Sequence, residues 1–544
     1  MGAAISLSSS PQPRLRDSMA TIQGVTGNQF LPSSKDYPGW QYQYATSTHE
    51  FDHDMSPGLI IQPKSKEDIK LVIAYAKAQK KAIAIRTGGH QYSGASSTGK
   101  ENIQIDLRTT FRTPQDLSYF ENGAKSYVRA SVSHSLGEFN AYLGTHKVFV
   151  PHGQCVEVHL GGHVQTGGYG QLGRSFGLLG DHVVSLEIID HAGNEKEITK
   201  TADPELFYAW LGGSPGNLGV LTHFSIEVHR DSDYVGSLGL RALHLYNPQK
   251  LRELLGYLAE MNDNPDFPRN YDLCISILSA SFDILGLMGG LDNKMEIEHP
   301  EIFGNDGNPA WPRMIVVYAQ WVPFSKTDKP DMAWFNRLRN DNWFEGGVEK
   351  KPMSELTAKW IFRNTREFDM PYVKRTYLTT STNLSKNGWV DWVVGRMDEI
   401  VAPINNDQWL SAQLQVFGGK NSMFTKNADN GTAYSWRDST MCMTIDNFHK
   451  PDKKRDAERW GQVNDAQGIG AKGFFSTQDR RVLWGSYGSF DLHESWKYYY
   501  DNKEQYERLR RARKVADPDG TFTPNTFAVK RAGLSDSVKS LFRS

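Results

Sequence analysis

A mixed α/β domain followed by a second layer of strands and helices is the fold class this sequence predicts. Three observations predict it. Between Val150 and Val228, five glycines (Gly161, Gly162, Gly167, Gly168, Gly170) fall within ten positions just ahead of two strand signals. Helix and strand patterns alternate up to about residue 230. Beyond that point the texture changes to amphipathic helices and strand-like runs around a polar stretch rich in Pro, Gly and Asn. Glycines at such density let a backbone approach a large ligand or turn where a side chain would clash, so a bound cofactor is implied. These residues alone do not say which one.

The elements justify themselves in order. Residues 1–35 read as a loosely ordered leader. Ser65 opens a helix with Glu67 and Asp68 in its first turn, and Ile69, Val72, Ile73 and Ala76 recur at helical spacing. Ala82–Ile85 reads as a buried strand that runs directly into Arg86-Thr87-Gly88-Gly89-His90-Gln91-Tyr92-Ser93-Gly94. Ile103, Ile105 and Leu107 alternate in the next strand, Val183–Ile189 forms another, and Val220 to Val228 alternates again. From 231 to 480, Leu251, Leu254, Leu255 and Leu258 mark one helix, and Trp389, Trp392, Val393 and Ile400 mark a second. Met314–Trp321, Trp409–Phe417 and Met441–Phe448 read as strands, and Asn305–Pro312 as a surface insertion. A tyrosine-rich stretch, Trp496 to Asn502, then leads into a charged helix through Arg513 that Pro518 and Gly520 end.

Composition bounds the function. At 544 residues the chain exceeds one ordinary hydrophobic core. Lys plus Arg (61) balances Asp plus Glu (62), which argues against a nucleic-acid surface. Aromatic residues at 12% suit a ring-lined pocket or simply a large core. Three cysteines give no disulfide framework, in keeping with a reducing compartment. The first thirty residues hold no apolar signal core and no run is long enough to span a bilayer, so a cytoplasmic location without stable membrane insertion is expected. Met1-Gly2-Ala3-Ala4-Ile5-Ser6 fits the N-myristoylation pattern, which alone supports only marginal membrane binding. His152, His159 and His163 cluster beside Cys155, yet their glycine neighbours favour a cofactor loop over a metal site, and no metal is expected.

Three blocks in this order resemble the berberine-bridge-enzyme-like FAD-linked oxidases of the vanillyl-alcohol-oxidase superfamily. They are Arg-Thr-Gly-Gly-His, the Gln154-Cys155 loop with its glycines, and the Tyr-Tyr/Asp-Pro/Phe block at the C-terminus. The resemblance covers roughly residues 50–530 and is closest in motif style to carbohydrate oxidases. It implies an α+β fold: a PCMH-type FAD-binding domain of two subdomains over residues 36–230, and a substrate domain over 231–480. The substrate domain is expected to be an antiparallel sheet covered by helices, with residues 481–544 returning to the FAD domain.

The resemblance also implies FAD held bicovalently, by His90 at the 8α-methyl and Cys155 at C6. Read singly, His90 is equally a turn histidine and Cys155 a small buried residue. A neutral imidazole and a thiolate are nonetheless natural nucleophiles toward an electron-poor ring. Implied noncovalent contacts are Arg86, Thr87, Gly88, Gly89, Gln91, Tyr92, Ser93 and Gly94 around the pyrophosphate loop. Leu160, Gly161, Gly162, Gly167, Gly168, Tyr169 and Gly170 match a second loop, and Asn217, Gly219, Val220 and Asn525 further contacts. Thr166 and His159 depart from glycine in the family pattern. Leu160 falls at the position that gates oxygen.

On the substrate side, Tyr487 matches a catalytic base, Tyr92 an active-site tyrosine and Gln413 a substrate-binding glutamine. Gln415 occupies the place of an assisting carboxylate and cannot itself act as a base. The implied reaction is oxidation of an alcohol, such as a sugar C1 hydroxyl, with oxygen as acceptor and peroxide as product. Alternatives are oxidation or ring closure of a secondary-metabolite alcohol or amine, a dehydrogenase with another acceptor, and a flavin-binding protein without activity.

Overall fold

The computed structural model describes residues 19–41, 55–90, 95–279, 313–359, 371–403, 407–469, 473–475 and 492–533. The expected insertion at Asn305–Pro312 lies outside them. Four short strands form the first sheet: β1 (Asn28–Phe30), β2 (Leu59–Gln62), β3 (Ile83–Arg86) and β4 (Ile103–Asp106). Their order is β1-β2-β4-β3, with β2 and β3 both parallel to β4. The helix Lys66–Ala78 supplies the crossover that parallel pairing needs. Its cap is the predicted Ser65, whose hydroxyl accepts from the Asp68 amide. Ile69, Val72, Ile73 and Ala76 form its buried face.

A second, antiparallel sheet contains β5 (Leu117–Asn122), β6 (Lys125–Ser131), β7 (Val148–Phe149), β8 (Val183–Ile189), β9 (Glu195–Thr199) and β10 (Val220–Arg230). The order is β5-β6-β10-β8-β9, with β7 also paired to β10. Both sheets share one hydrophobic core. Tyr499, Tyr500, Tyr506, Leu509, Phe522 and Phe527 pack into that same core, bringing the C-terminal segment back to the N-terminal domain. The Tyr500 hydroxyl donates to the Gly213 carbonyl at 2.6 Å, and Arg513 donates to the carbonyls of Asn217 and Phe522. The charged helix runs from Lys503 to Ala516, beginning where the Asn502 side chain accepts from the Gln505 amide.

The remaining strands make one seven-stranded sheet: β11 (Leu238–Leu245), β12 (Tyr271–Leu278), β13 (Met314–Trp321), β14 (Phe344–Lys350), β15 (Tyr372–Thr379), β16 (Gln408–Val416) and β17 (Met441–His449). Its order is β14-β11-β13-β12-β16-β17-β15, with every neighbour antiparallel. Strand alternation sorts its faces. Ile275, Ile277, Leu410, Ala412, Leu414, Met443 and Ile445 join the core beneath helices Pro248–Asp263 and Trp389–Val401. The four leucines of the first helix are fully buried, each contributing about 1.5–3 kcal/mol of apolar burial.

The opposite face turns toward the N-terminal domain. One part of it is apolar, where Cys274, Met314, Val316 and Tyr318 meet Phe149, Leu172 and Phe176. The other part is polar, and there the cavity opens. A clamp fixes the two layers: Arg174 Nε donates to the Gly418 carbonyl at 2.6 Å, while the Arg174 amide donates to Asp272 Oδ1 at 2.8 Å. Burial lowers the Arg174 guanidinium to about 10 and raises the Asp272 carboxyl above its ordinary value.

Candidate active site

The strand β3 ends by delivering the chain into a glycine turn. Ile85 faces the cavity, and Thr87, Gly88, Gly89 and His90 continue its wall. Gly89 has φ of +70°, a conformation that favours glycine. A second loop brings Gly153, Gln154 and Cys155 to the same space, so the imidazole and thiol that sequence singled out line one cavity. Cys155 is a free thiol with part of its surface exposed, whereas Cys274 and Cys442 are buried and burial pushes both thiols up to about 12.

The helix Leu160–Gln165 supplies Gly161 and Gly162, and the following turn supplies Thr166, Tyr169 and Gly170. Gly216 and Gly219, both at positive φ, close a further side. Gln165 holds these pieces together: its Nε2 donates to the Gly161 carbonyl at 2.8 Å and its Oε1 accepts from the Gly216 amide at 3.1 Å.

Three histidines in this shell are held neutral. The His152 Nδ1 donates to the Gly153 carbonyl at 2.7 Å while Nε2 accepts from Asn140 at 2.8 Å, and burial lowers its pKa. The His163 Nε2 accepts from the Gly153 amide at 2.9 Å; burial and the neighbouring His152 lower that ring to about 3. Burial, with Arg108 beyond, lowers His159 to about 4.

The far wall belongs to the polar face of the seven-stranded sheet. Register puts Ser276, Gln413, Thr444 and Thr376 in one row across β12, β16, β17 and β15. Leu278, Ser411, Asp446 and Lys374 form the next row. All of these except Thr376 line the cavity. The Gln413 Nε2 donates to Gln154 Oε1 at 2.5 Å, which joins this wall to the cysteine loop. Lys374 and Asp446 form an ion pair at 2.8 Å with side chains 4% and 6% exposed. Sequence reading missed Ser276, Ser411, Thr444, Lys374 and Asp446; their polar alternation within otherwise apolar strands was the available signal.

Other expected residues serve the scaffold. Arg86 follows Ile85 and points to the opposite side of β3, where it pairs with Asp106 at 2.6 Å and donates to the Trp40 carbonyl. It is buried and does not line the cavity. Leu160 is fully buried in the core, so its side chain does not stand in the cavity wall. Asn217 accepts from the Ser214 hydroxyl and donates to the Phe522 carbonyl, and Asn525 donates to the carbonyls of Ala95 and Ser97. Gly167, Gly168 and Val220 shape their turns or core from outside the wall. The Gln415 Nε2 donates to the Gly170 carbonyl, so this side chain joins sheet to loop and does not line the cavity. Gln91, Tyr92, Ser93, Gly94 and Tyr487 lie outside the described residues.

The cavity suits a large ligand rich in carbonyl and anionic oxygens. Among the described residues, the amides of Gly88, Gly89, Gly161 and Gly162 have no partner. Gln154 Nε2 and His159 Nδ1 are likewise buried in its wall without one. A Cβ placed on Gly162 would meet no protein atom within 4 Å. Those unmatched groups and that open space fit FAD. Among the described residues no His, Cys, Asp and Glu cluster could hold a metal, and no helix is long and apolar enough to cross a membrane.

Residues 57–199 match the FAD binding domain family. Berberine bridge enzyme-like 12 of Arabidopsis thaliana is 32% identical over 175 residues, 32% of this chain and 32% of that protein. The match thus spans about a third of that relative's own length. Two solved structures share the fold across nearly the whole chain. The xylooligosaccharide oxidase of Myceliophthora thermophila C1 has a TM-score of 0.67 at 16% identity, covering 94% of this chain and 99% of its own. The glucooligosaccharide oxidase of Acremonium strictum, described with a 6-S-cysteinyl, 8α-N1-histidyl FAD, has a TM-score of 0.68 at 15% identity, covering 93% and 98%.

Proposed function

We propose that this chain is a berberine-bridge-enzyme-like FAD-linked oxidase of the PCMH-type superfamily and a bicovalent flavoenzyme, a reading supported by the FAD binding domain match over residues 57–199 and by the likeness to Berberine bridge enzyme-like 12. It holds FAD through His90 and Cys155 and oxidises a hydroxyl of a polar small molecule, with oxygen as acceptor and hydrogen peroxide as product. One observation carries this reading: a single cavity has the two nucleophilic side chains on one side and a hydrogen-bonding wall on the other.

FAD bound there would supply the two-electron acceptor that converting a carbinol to a carbonyl requires. The protein's share is attachment, orientation and proton handling. A thiol and a neutral imidazole can each form a bond to the flavin, as the glucooligosaccharide oxidase's 6-S-cysteinyl, 8α-N1-histidyl FAD illustrates. Ser276, Ser411, Gln413 and Thr444 present hydroxyls and an amide that both donate and accept, which suits a polyhydroxylated substrate such as a sugar. The Gln154–Gln413 bond places that amide against the cysteine loop. Tyr487 is the proposed acceptor of the substrate hydroxyl proton, a role that rests on the sequence. A phenol must have its pKa lowered, or transfer the proton in concert, to do this near neutrality.

Anaerobic mixing of the purified protein with a panel of sugars, simple alcohols and amines tests the reading. Rapid loss of the visible flavin band with a sugar or alcohol, then peroxide on readmitting oxygen, is expected. A protein that retains flavin yet is bleached only by amines, or by nothing, would contradict hydroxyl oxidation.

A further inference from the structure

A pair of glutamines ties the cysteine loop to the substrate-facing sheet. Gln154 and Gln413 are 259 positions apart, and the Gln413 Nε2 donates to the Gln154 Oε1 at 2.5 Å. Gln154 stands next to Cys155 on a loop anchored on both sides. The Gly153 amide donates to His163 Nε2 at 2.9 Å, and the Val156 carbonyl accepts from the Gly137 amide at 3.1 Å. Between those anchors the Gln154 side chain reaches the sheet. Gln413 is steadied in turn, because its side chain also hydrogen-bonds with the Cys274 thiol on the neighbouring strand β12.

Stability does not account for this tie. Gln154 Nε2 is buried without a partner, and an unmatched buried donor offsets what one neutral hydrogen bond contributes. The two layers are already joined by the Arg174 clamp and by the apolar contacts of Phe149, Leu172 and Phe176. What the glutamine bond adds is a fixed place for the residue beside the cysteine.

Resting on the flavoenzyme reading above, we propose that Gln154 and Gln413 are positioning residues for the attachment of Cys155. Their bond holds the cysteine loop against the sheet and so limits the places the thiol can occupy in the cavity. Attachment exchanges the S–H bond and the flavin C6–H bond for one S–C bond. The two protons and two electrons released pass to dioxygen, which leaves as hydrogen peroxide. A thiol that must meet one ring carbon is sensitive to placement, since a shift of about 1 Å can cost about 100-fold in rate. His90 stands on a different turn, the one that follows β3, and its attachment does not depend on the glutamines. Loss of the pair therefore separates the two attachments and leaves flavin joined at His90 alone.

Gln154→Met and Gln413→Met remove the bond while nearly keeping side-chain length. Peptide mass analysis of the acid-denatured protein gives the ratio of flavin attached at His90 alone to flavin attached at both residues. That ratio should rise by about tenfold or more in each variant, with total flavin within about twofold of the parent. In the double variant the bond is already gone, so the ratio should stay within about twofold of either single variant. Gln415→Leu removes another tie from the same sheet, to the Gly170 carbonyl, and as the control it should leave both attachments in place. Where the variant of one glutamine fails to fold, the variant of the other reads the same bond. Unchanged double attachment in the single variants, effects that multiply in the double variant, or an equal loss in Gln415→Leu would overturn the proposal. A parent protein whose flavin is not joined to Cys155 sinks the bicovalent reading instead, and the same measurement reports that before any variant is compared.

Discussion

Replacing Gly162 by leucine separates cofactor space from the protein's own packing. A Cβ on Gly162 meets nothing within 4 Å, although the adjacent Gly161 would meet Thr87 Cγ2 at 2.8 Å. The position lies in the helix Leu160–Gln165, where leucine is favoured over glycine by up to about 1 kcal/mol. No contact is lost, so the flavin-free variant should be as stable as its parent or up to about 1 kcal/mol more stable. The side chain would project into the cavity, and flavin retention should fall by about tenfold or more, corresponding to about 1.4 kcal/mol. The assay pairs the flavin-to-protein absorbance ratio with thermal melting of the flavin-free form. Full flavin content in the variant would show that this helix does not border the cofactor. Reduced stability would show that the space is not open.

Gly170→Ala should behave in the opposite way. Its Cβ would sit 1.8 Å from the His152 carbonyl oxygen, so backbone must move, and unfolding measurements should show a loss of about 3 kcal/mol or more. Gln415→Leu removes the donor to the buried Gly170 carbonyl and should cost about 1–3 kcal/mol by denaturant titration, with sugar or alcohol bleaching retained where the protein folds. Stability should also fall on acidification. His159 and His163 sit near 4 and 3 in the folded chain against an ordinary 6.5, so between those values and 6.5 the unfolded chain binds more protons. Each ring then removes up to about 1.4 kcal/mol per pH unit as pH drops below about 6.5. Melting curves from neutral to acidic pH should show a shallower slope in His163→Asn; an unchanged slope would contradict the neutral-ring description.

Local physics made much of this molecule readable from sequence. The Ser65 cap, the apolar stripe of Leu251, Leu254, Leu255 and Leu258, and the runs Val183–Ile189 and Met314–Trp321 all report periodicities that act over a few residues. The glycine turns around His90 and Cys155 stood out in composition, and both turns line one cavity. What depends on register did not show. Arg86 and Ile85 are neighbours in sequence, but the strand pleat sends one to Asp106 and the other to the cavity. Lys374 and Asp446 are 72 positions apart and meet only because β15 pairs with β17. Gln415 shares a face with Gln413, yet it ends under Gly170 because the loop descends on that side.

The central claim is a flavin bonded to the polypeptide at both His90 and Cys155, and acid precipitation followed by peptide mass analysis tests it most directly. The yellow colour should stay with the precipitate, and a single flavin should join the peptide containing His90 to the peptide containing Cys155. Colour released wholly into the supernatant, with both peptides at their unmodified mass, would contradict it.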